Sequence, residues 1–254
     1  MYFTQQKPAK RLFITIYKRA LRVDGASMIK LYITRHGETQ WNVEGRMQGW
    51  KNSDLTAKGI KNAEALGKSL NSTEFQVIYS SSSQRAVNTA ELIRGDRKID
   101  IITDENLREI NLGEWEGKAK NEFTEADKDG LDAFWNRPHQ YKASSGEDFF
   151  QVRARIEAVL KKIIKENKNC NVLIVTHAVI VKTIMAIFKG IPIEKLWEQP
   201  FIYGTSLSII EIDNDSEHKE FSLIEKDTDK ENPFEADTLR ARVIIEGDMS
   251  HICE

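Results

Sequence analysis

The sequence predicts an α/β fold, a three-layer α/β/α sandwich built on a mainly parallel sheet. Three observations carry that expectation. From Met28 onward, short β-rich runs alternate with runs of helical periodicity, the order that makes helices the crossovers between parallel strands. The run Val172-Leu173-Ile174-Val175 is apolar at consecutive positions, as expected of a strand covered on both faces. Polar clusters follow directly on three of the strand-like runs, and in open α/β sheets ligands collect beyond the carboxyl ends of the strands.

Taken in order, Ile29 to Thr34 reads as a strand that stops at Arg35-His36-Gly37. Thr56 is placed to cap a helix running to about Leu70, with Ile60, Ala63, Leu66 and Leu70 on one face. Phe75 to Tyr79 reads as a strand broken by Ser80 to Ser83, and a helix follows from Gln84 to Ile93. A short strand at Ile99 to Thr103 precedes an irregular loop from Leu107 to Gly117. Helices are expected to dominate from Asn121 to Asn167. The clearest runs from Val152 to Ile164, where Val152, Ile156, Val159, Leu160, Ile163 and Ile164 repeat at the spacing of a buried face. Asn171 to Thr176 is the strongest strand; His177 ends it, and a helix starts near Ala178. Ser206 to Ile212 and Ala241 to Glu246 read as two further strands, separated by a charged excursion near 214–239.

Bulk properties narrow the function. A chain of 254 residues, 40% hydrophobic and 30% charged, is long enough for one large α/β domain with a substantial core. A formal charge of -2 gives no global field for nucleic acid or anionic membrane, so neither is expected as a partner. No apolar run approaches the roughly 20 residues that span a bilayer. Cys170 and Cys253 stand far apart without metal-ligand spacing and read as incidental thiols of a cytoplasmic protein. Residues 1–27 carry Lys7, Lys10, Arg11, Lys18, Arg19 and Arg22 against one acid, Asp24. They read as a dispensable extension, or as sequence upstream of a start at Met28. A targeting presequence is the alternative.

The three polar clusters bring Arg35-His36, Ser80 to Arg85, and Thr176-His177 to one sheet edge. Two histidines raise the question of zinc, but the neighbouring arginines repel a cation, so no metal is expected. Guanidinium groups instead suit a tetrahedral dianion, matching phosphate oxygens with a planar fork of donors. A histidine among them, kept neutral by the nearby positive charge, is placed to attack phosphorus and divide one difficult transfer into two easier ones. A histidine at a strand end is commonly no more than a polar terminus, and His177 alone would not carry this reading.

The run Arg35-His36-Gly37-Glu38-Thr39, followed by Asn42, resembles the signature of the histidine phosphatase superfamily, which contains cofactor-dependent phosphoglycerate mutases and fructose-2,6-bisphosphatases. Asp54-Leu55-Thr56 with Gly59 and Ala63, Ser80 to Ala90, Leu107 to Gly117, and Val172 to His177 resemble its further motifs, in the family order, over residues 28 to 212. Met47 to Trp50, Leu196-Trp197, Tyr203 to Ser206 and Glu246 to His251 are most similar to bacterial broad-specificity phosphatases of the PhoE type. Alpha-ribazole phosphatases share much of that pattern. The resemblance implies a phosphoglycerate mutase-like fold with a helical cap at 117–150, and makes 28–254 the catalytic domain with an insertion at 214–239. It makes His36 the nucleophile, Glu109 the acid and base, and Arg35, Asn42, Arg85 and His177 the phosphate-binding groups, without a cofactor. Glu105, Glu114 and Glu116 lie close enough in sequence to compete with Glu109. Glu147 is as readily structural as catalytic. Ala178 departs from the glycine of many relatives, which alters the geometry next to the phosphate while leaving an N–H there.

The expected function is hydrolysis of a broad range of phosphate monoesters. The alternatives are a phosphoglycerate mutase, an alpha-ribazole phosphatase or an inactive phosphate-binding module. The substrate is expected to be a small-molecule phosphate ester, and a homodimer is left open. Phe123, Phe134, Trp135, Tyr141, Phe149 and Phe150 fall in the cap. They serve either the core or the pocket; two of them facing the pocket would favour apolar or aromatic esters.

Overall fold

The computed structural model describes residues 28–213 and 241–252, so the readings of 1–27 and of the excursion at 214–239 lie outside the described residues. Six strands form one sheet in the order β3-β2-β4-β1-β5-β6. They are β1 (Met28–Arg35), β2 (Phe75–Ser81), β3 (Ile101–Asp104), β4 (Asn171–Thr176), β5 (Leu207–Asp213) and β6 (Ala241–Asp248). β1, β2, β3 and β4 are mutually parallel, and β5 and β6 add antiparallel strands at one side.

The register determines where chemistry can occur. Arg35 lies opposite Thr176 and Ser80 opposite Val175, so β1, β2 and β4 end at one level. The His36 N–H still donates to the Thr176 carbonyl at 2.8 Å, carrying the ladder one residue beyond the last pair. Along β4, Val172 and Ile174 point to one face, Leu173 and Val175 to the other, and all four are buried.

Each face is covered by helices. On one side α2 (Ala57–Ser69) and α3 (Gln84–Arg94) pack Ala63, Leu66, Ala86, Ala90 and Ile93 onto Phe75, Ile78, Leu173 and Val175. On the other, α4 (Lys128–Asn136), α5 (Phe149–Glu166) and α6 (Ala178–Lys189) pack Phe134, Val152, Ile156, Leu160, Ile180 and Ile184 onto Leu31, Ile33, Val172 and Ile174. Each such aliphatic contributes roughly 1.5–3 kcal/mol by leaving water. A single turn, α1 (Gln40–Val43), follows the β1 loop and is capped reciprocally by Thr39 and Asn42.

The element boundaries shift for local reasons. Thr56 caps α2 as expected, its hydroxyl accepting from the Gly59 N–H at 2.9 Å. β2 runs two residues past Tyr79, because Ser80 and Ser81 still pair with Thr103 and Asp104 of β3. α5 starts three residues before Val152. Asp148 accepts from the N–H groups of Phe150 and Gln151, and the Gln151 side chain returns to the Asp148 N–H, completing a capping box. The stretch 121–148 is less helical than its composition predicts: α4 is its one α-helix, set between single 3₁₀ turns. Gly59 brings α2 against the β1 loop, since a Cβ there would fall 2.2 Å from the Glu38 carbonyl oxygen. No helix among the described residues is long and apolar enough to cross a membrane.

Candidate active site

The pocket opens at the carboxyl ends of β1, β2 and β4 and encloses about 200 Å³. Arg35, His36, Asn42, Arg85 and Glu109 line it, together with Ala178 and Lys182 of α6 and the aromatic rings of Phe134, Trp135, Trp197 and Phe201. His177 is not in the lining. Its fully buried ring stands behind Arg85, with its centroid 5.1 Å from that of His36.

Hydrogen bonding fixes both imidazoles. His36 Nδ1 lies 2.8 Å from the Gly37 carbonyl, which can only accept, so the proton resides on Nδ1 and the lone pair on Nε2. That lone pair meets the Nε–H of Arg85 at 3.2 Å. Arg85 also donates from Nη2 to His177 Nδ1 at 3.1 Å, which places the His177 proton on Nε2, 2.7 Å from the Ser81 hydroxyl. The Arg85 guanidinium thus lies between the two rings.

Arg85 is itself held by backbone carbonyls. Nη1 donates to Lys51 at 2.7 Å and Nη2 to Gly49 at 2.8 Å. Those carbonyls belong to a loop organised by Glu116, whose carboxylate accepts from the N–H groups of Trp50 at 2.7 Å, Lys51 at 3.0 Å and Leu112 at 3.1 Å. Gly49 sits at φ +53 directly under that carboxylate, where a Cβ would come within 2.3 Å of its oxygen. Arg35 donates from Nη1 to the Ile202 carbonyl at 2.9 Å, while its buried Nε has no partner, leaving a donor available to an acceptor in the pocket. Asn42 reaches the pocket from the α1 turn, its side-chain oxygen accepting from the Thr39 N–H at 3.1 Å.

Of the four nearby glutamates, only Glu109 lines the pocket. Glu105 is exposed and paired with Arg108, Glu114 is exposed, and Glu116 is committed to backbone. The Glu109 carboxylate accepts from the N–H of Ile110 at 3.1 Å and approaches that of Val179, in the first turn of α6, at 3.4 Å. Its loop is pinned by Arg155, which donates to the carbonyls of Asn106, Arg108 and Glu109 while pairing with Glu147 at 2.8 Å. The Glu147 carboxylate also accepts from the Asn111 N–H, which gives it a structural place in the same loop.

Burial dominates the electrostatics. It holds His36 and His177 well below the usual imidazole range, with Arg85 adding to the effect on both. Burial also lowers Arg85 to about 10 and raises Glu109, against the opposing pull of Arg85 and Arg35. The arginines therefore reinforce a depression whose main cause is desolvation. A depressed histidine stabilises the fold above its unfolded value, about 6.5, and loses that contribution as pH falls towards its folded value. Between pH 6.5 and the folded values, urea unfolding is therefore expected to show stability dropping by about 1.4 kcal/mol per pH unit for each of the two histidines. Glu109 opposes this as a single group between about 4.5 and its own raised value. A flat urea midpoint below pH 6.5 would contradict the assignment of two neutral buried imidazoles.

Two arginines and a neutral imidazole lining one cavity form a site for a tetrahedral oxyanion. Among the described residues, no three His, Cys, Asp or Glu side chains gather into a metal-binding group. Residues 31–222 match the family model of the histidine phosphatase superfamily (branch 1), and the chain belongs to that family. It is 31% identical over 170 residues to phosphoserine phosphatase 1 of Hydrogenobacter thermophilus, covering 67% of this chain and 81% of that one. It is 29% identical to the adenosylcobalamin/alpha-ribazole phosphatase of Escherichia coli, covering 66% and 83%. The solved structure of Bacillus stearothermophilus YhfR is similar with a TM-score of 0.76 and 45% identity, covering 88% of this chain and 98% of that one. The protein is a histidine phosphatase superfamily enzyme, a phosphatase or a mutase.

Sequence reasoning missed Ser81, which fixes the His177 tautomer, and Glu116, which shapes the carbonyl cradle of Arg85. Ser81 lies in a run of four serines that nothing in the sequence ranks. Glu116 was visible only as a competitor of Glu109.

Proposed function

We propose that this enzyme hydrolyses a range of phosphate monoesters without a metal ion, through a phosphohistidine on His36. The observation that carries the reading is the His36 Nε2 lone pair, left unprotonated at the pocket by the Nδ1–H bond to Gly37 and met there by the Nε–H of Arg85. The ester phosphate binds to Arg35, Asn42 and Arg85, taking up the unpartnered Nε–H of Arg35 and the Nε–H of Arg85, which releases the His36 Nε2 lone pair for attack, and His177 keeps Arg85 in position behind it. Nε2 attacks phosphorus as the ester P–O bond breaks, and the electron pair departs with the leaving oxygen. Glu109, the one glutamate of its loop that lines the pocket and a carboxyl that burial raises, protonates that oxygen. Its carboxylate then takes a proton from water as the water oxygen bonds to phosphorus and the N–P bond breaks. The arginines supply the positive charge that stabilises both transition states.

The aromatic wall supports the substrate range. Phe134 and Trp135 of α4 face the pocket with Trp197 and Phe201, whereas Phe123, Tyr141 and Phe149 pack in the core and Phe150 is exposed. Such a wall favours esters with apolar or aromatic leaving groups. A phosphoserine phosphatase and an alpha-ribazole phosphatase among the relatives fit hydrolysis. Mutase activity is the second reading, since it would use the same histidine and arginines.

Phosphate release from a panel of esters with EDTA present, run beside a coupled assay for 2-phosphoglycerate formation, tests the reading. Release from aryl phosphates unaffected by EDTA is expected. Release abolished by EDTA, or mutase turnover exceeding hydrolysis, would overturn it. Glu109→Gln is expected to lower kcat on alkyl phosphates by roughly 10²–10⁴-fold and to cost less on p-nitrophenyl phosphate, whose leaving group departs without a proton. The alkaline limb of the wild-type pH profile, set by loss of the Glu109 proton, should disappear in the variant. Equal losses on both esters with an unchanged profile would remove Glu109 from this role.

A further inference from the structure

Trp50 joins the two halves of the catalytic machinery. Its main chain belongs to the loop whose Gly49 and Lys51 carbonyls hold Arg85. Its side chain crosses to the Glu109 loop, where the indole Nε1–H donates to the Glu109 carbonyl at 2.8 Å. Arg108 holds the indole in turn: its guanidinium carbon lies 4.5 Å from the ring centroid, and its Nη2 donates to the Trp50 carbonyl at 3.0 Å. Trp50 is 38% exposed and belongs to neither core cluster, so these contacts, rather than core packing, fix its ring.

The Glu109 carbonyl has a second donor, Nη2 of Arg155 in α5, at 3.0 Å. Both of its acceptor sites are therefore filled, one from the 49–51 loop and one from α5. A peptide group is planar, so fixing its carbonyl also fixes the N–H at its other end. That N–H belongs to Ile110, and it donates to the Glu109 carboxylate oxygen Oε1 at 3.1 Å. The other oxygen, Oε2, has only the longer approach to the Val179 N–H at 3.4 Å. The side chain of Glu109 is thus held by the same peptide group that Trp50 and Arg155 clamp.

We propose that Trp50 is a positioning residue for general acid–base catalysis: its indole N–H sets the plane of the 109–110 peptide, and that peptide aims the Glu109 carboxyl at the leaving oxygen. This rests on the reading of Glu109 as acid and base, and adds the group that sets its aim. Arg85 is held by the main chain on either side of Trp50. One residue therefore fixes the separation between the phosphate and its proton donor, a geometry in which an error of roughly 1 Å can cost about 10²-fold in rate.

The test measures kcat/KM on an alkyl phosphate and on p-nitrophenyl phosphate, because that constant reports transfer to His36 and departure of the leaving group. The variants are Trp50→Phe, which keeps a ring over Arg108 without the N–H, Glu109→Gln, and the two combined. Trp50→Phe is expected to lose about tenfold on the alkyl ester, the scale of one hydrogen bond, and less than about twofold on the aryl ester, whose leaving group departs without a proton. In the Glu109→Gln background the same change is expected to cost less than about twofold on either ester, because groups that act as a unit are not additive. No loss, equal losses on both esters, a larger loss on the aryl one, or a loss that adds to that of Glu109→Gln would each overturn the proposal. A measurement on wild type needs no variant to fold: the Trp50 indole N–H is expected to exchange with deuterium more slowly than an exposed indole. Exchange at the free rate also defeats the proposal. Failure of the Glu109 reading looks different, since Glu109→Gln itself would then show no difference between the esters.

Discussion

His36→Ala is expected to lower phosphate release by roughly 10⁴-fold or more while leaving the fold intact, because it removes the atom proposed to carry the phosphoryl group. The fold should survive because His36 makes few bonds: its ring engages one carbonyl, that of Gly37, and one side chain, that of Arg85. Burial and two arginines already disfavour any charge on it, so its loss leaves no counter-ion stranded. A thermal midpoint near that of wild type combined with negligible turnover is the expected pair of results. Turnover within tenfold of wild type would mean that another group attacks phosphorus.

Arg85→Lys is expected to cost roughly 10²–10³-fold in kcat/KM, about 2.7–4 kcal/mol, even though the charge is kept. Arg85 acts as a fork: its Nε meets His36, Nη1 meets Lys51, and Nη2 reaches both Gly49 and His177. An ammonium on a flexible stem cannot hold those four partners and a phosphate oxygen in one plane. This change should also destabilise the protein, because two carbonyls and two histidine nitrogens lose a buried donor at roughly 1–3 kcal/mol for each one left unpaired. The checks are steady-state kinetics and urea unfolding on the same preparation. A lysine variant with wild-type kcat/KM would show that charge alone suffices and that the fork has no catalytic part.

The sheet was legible in the sequence because its cause is local. Consecutive apolar residues in β4 announce a strand buried on both faces, and Thr56 announces its helix through one hydroxyl. The meeting of Arg35, His36, Arg85 and His177 was legible for a related reason: each stands at or just beyond a strand end, and parallel strands in register deliver their ends to one edge. What remained hidden depends on backbone direction in loops. Glu116 matters through three N–H groups that converge only once residues 49–51 have turned back, which no side-chain pattern encodes. Lys182 sits inside an apolar helix and reads as a helix residue until the 198–200 carbonyls arrive from another part of the chain. The stretch 121–148 has a helical composition yet holds one α-helix between 3₁₀ turns. Its aromatics mix core and pocket positions, with Trp115 packing against Phe123, Phe134 and Tyr141 from outside it.

The central claim is that a phosphoryl group becomes bonded to His36 Nε2 during each turnover. Quenching the enzyme in alkali during hydrolysis of an aryl phosphate, then digesting it and locating the added phosphoryl mass, tests that claim directly. One phosphoryl group on the peptide containing His36, stable in alkali and lost in acid, is the expected result. A phosphoryl group found instead on a serine or on His177, or a burst of phenol with His36 unmodified, would contradict it.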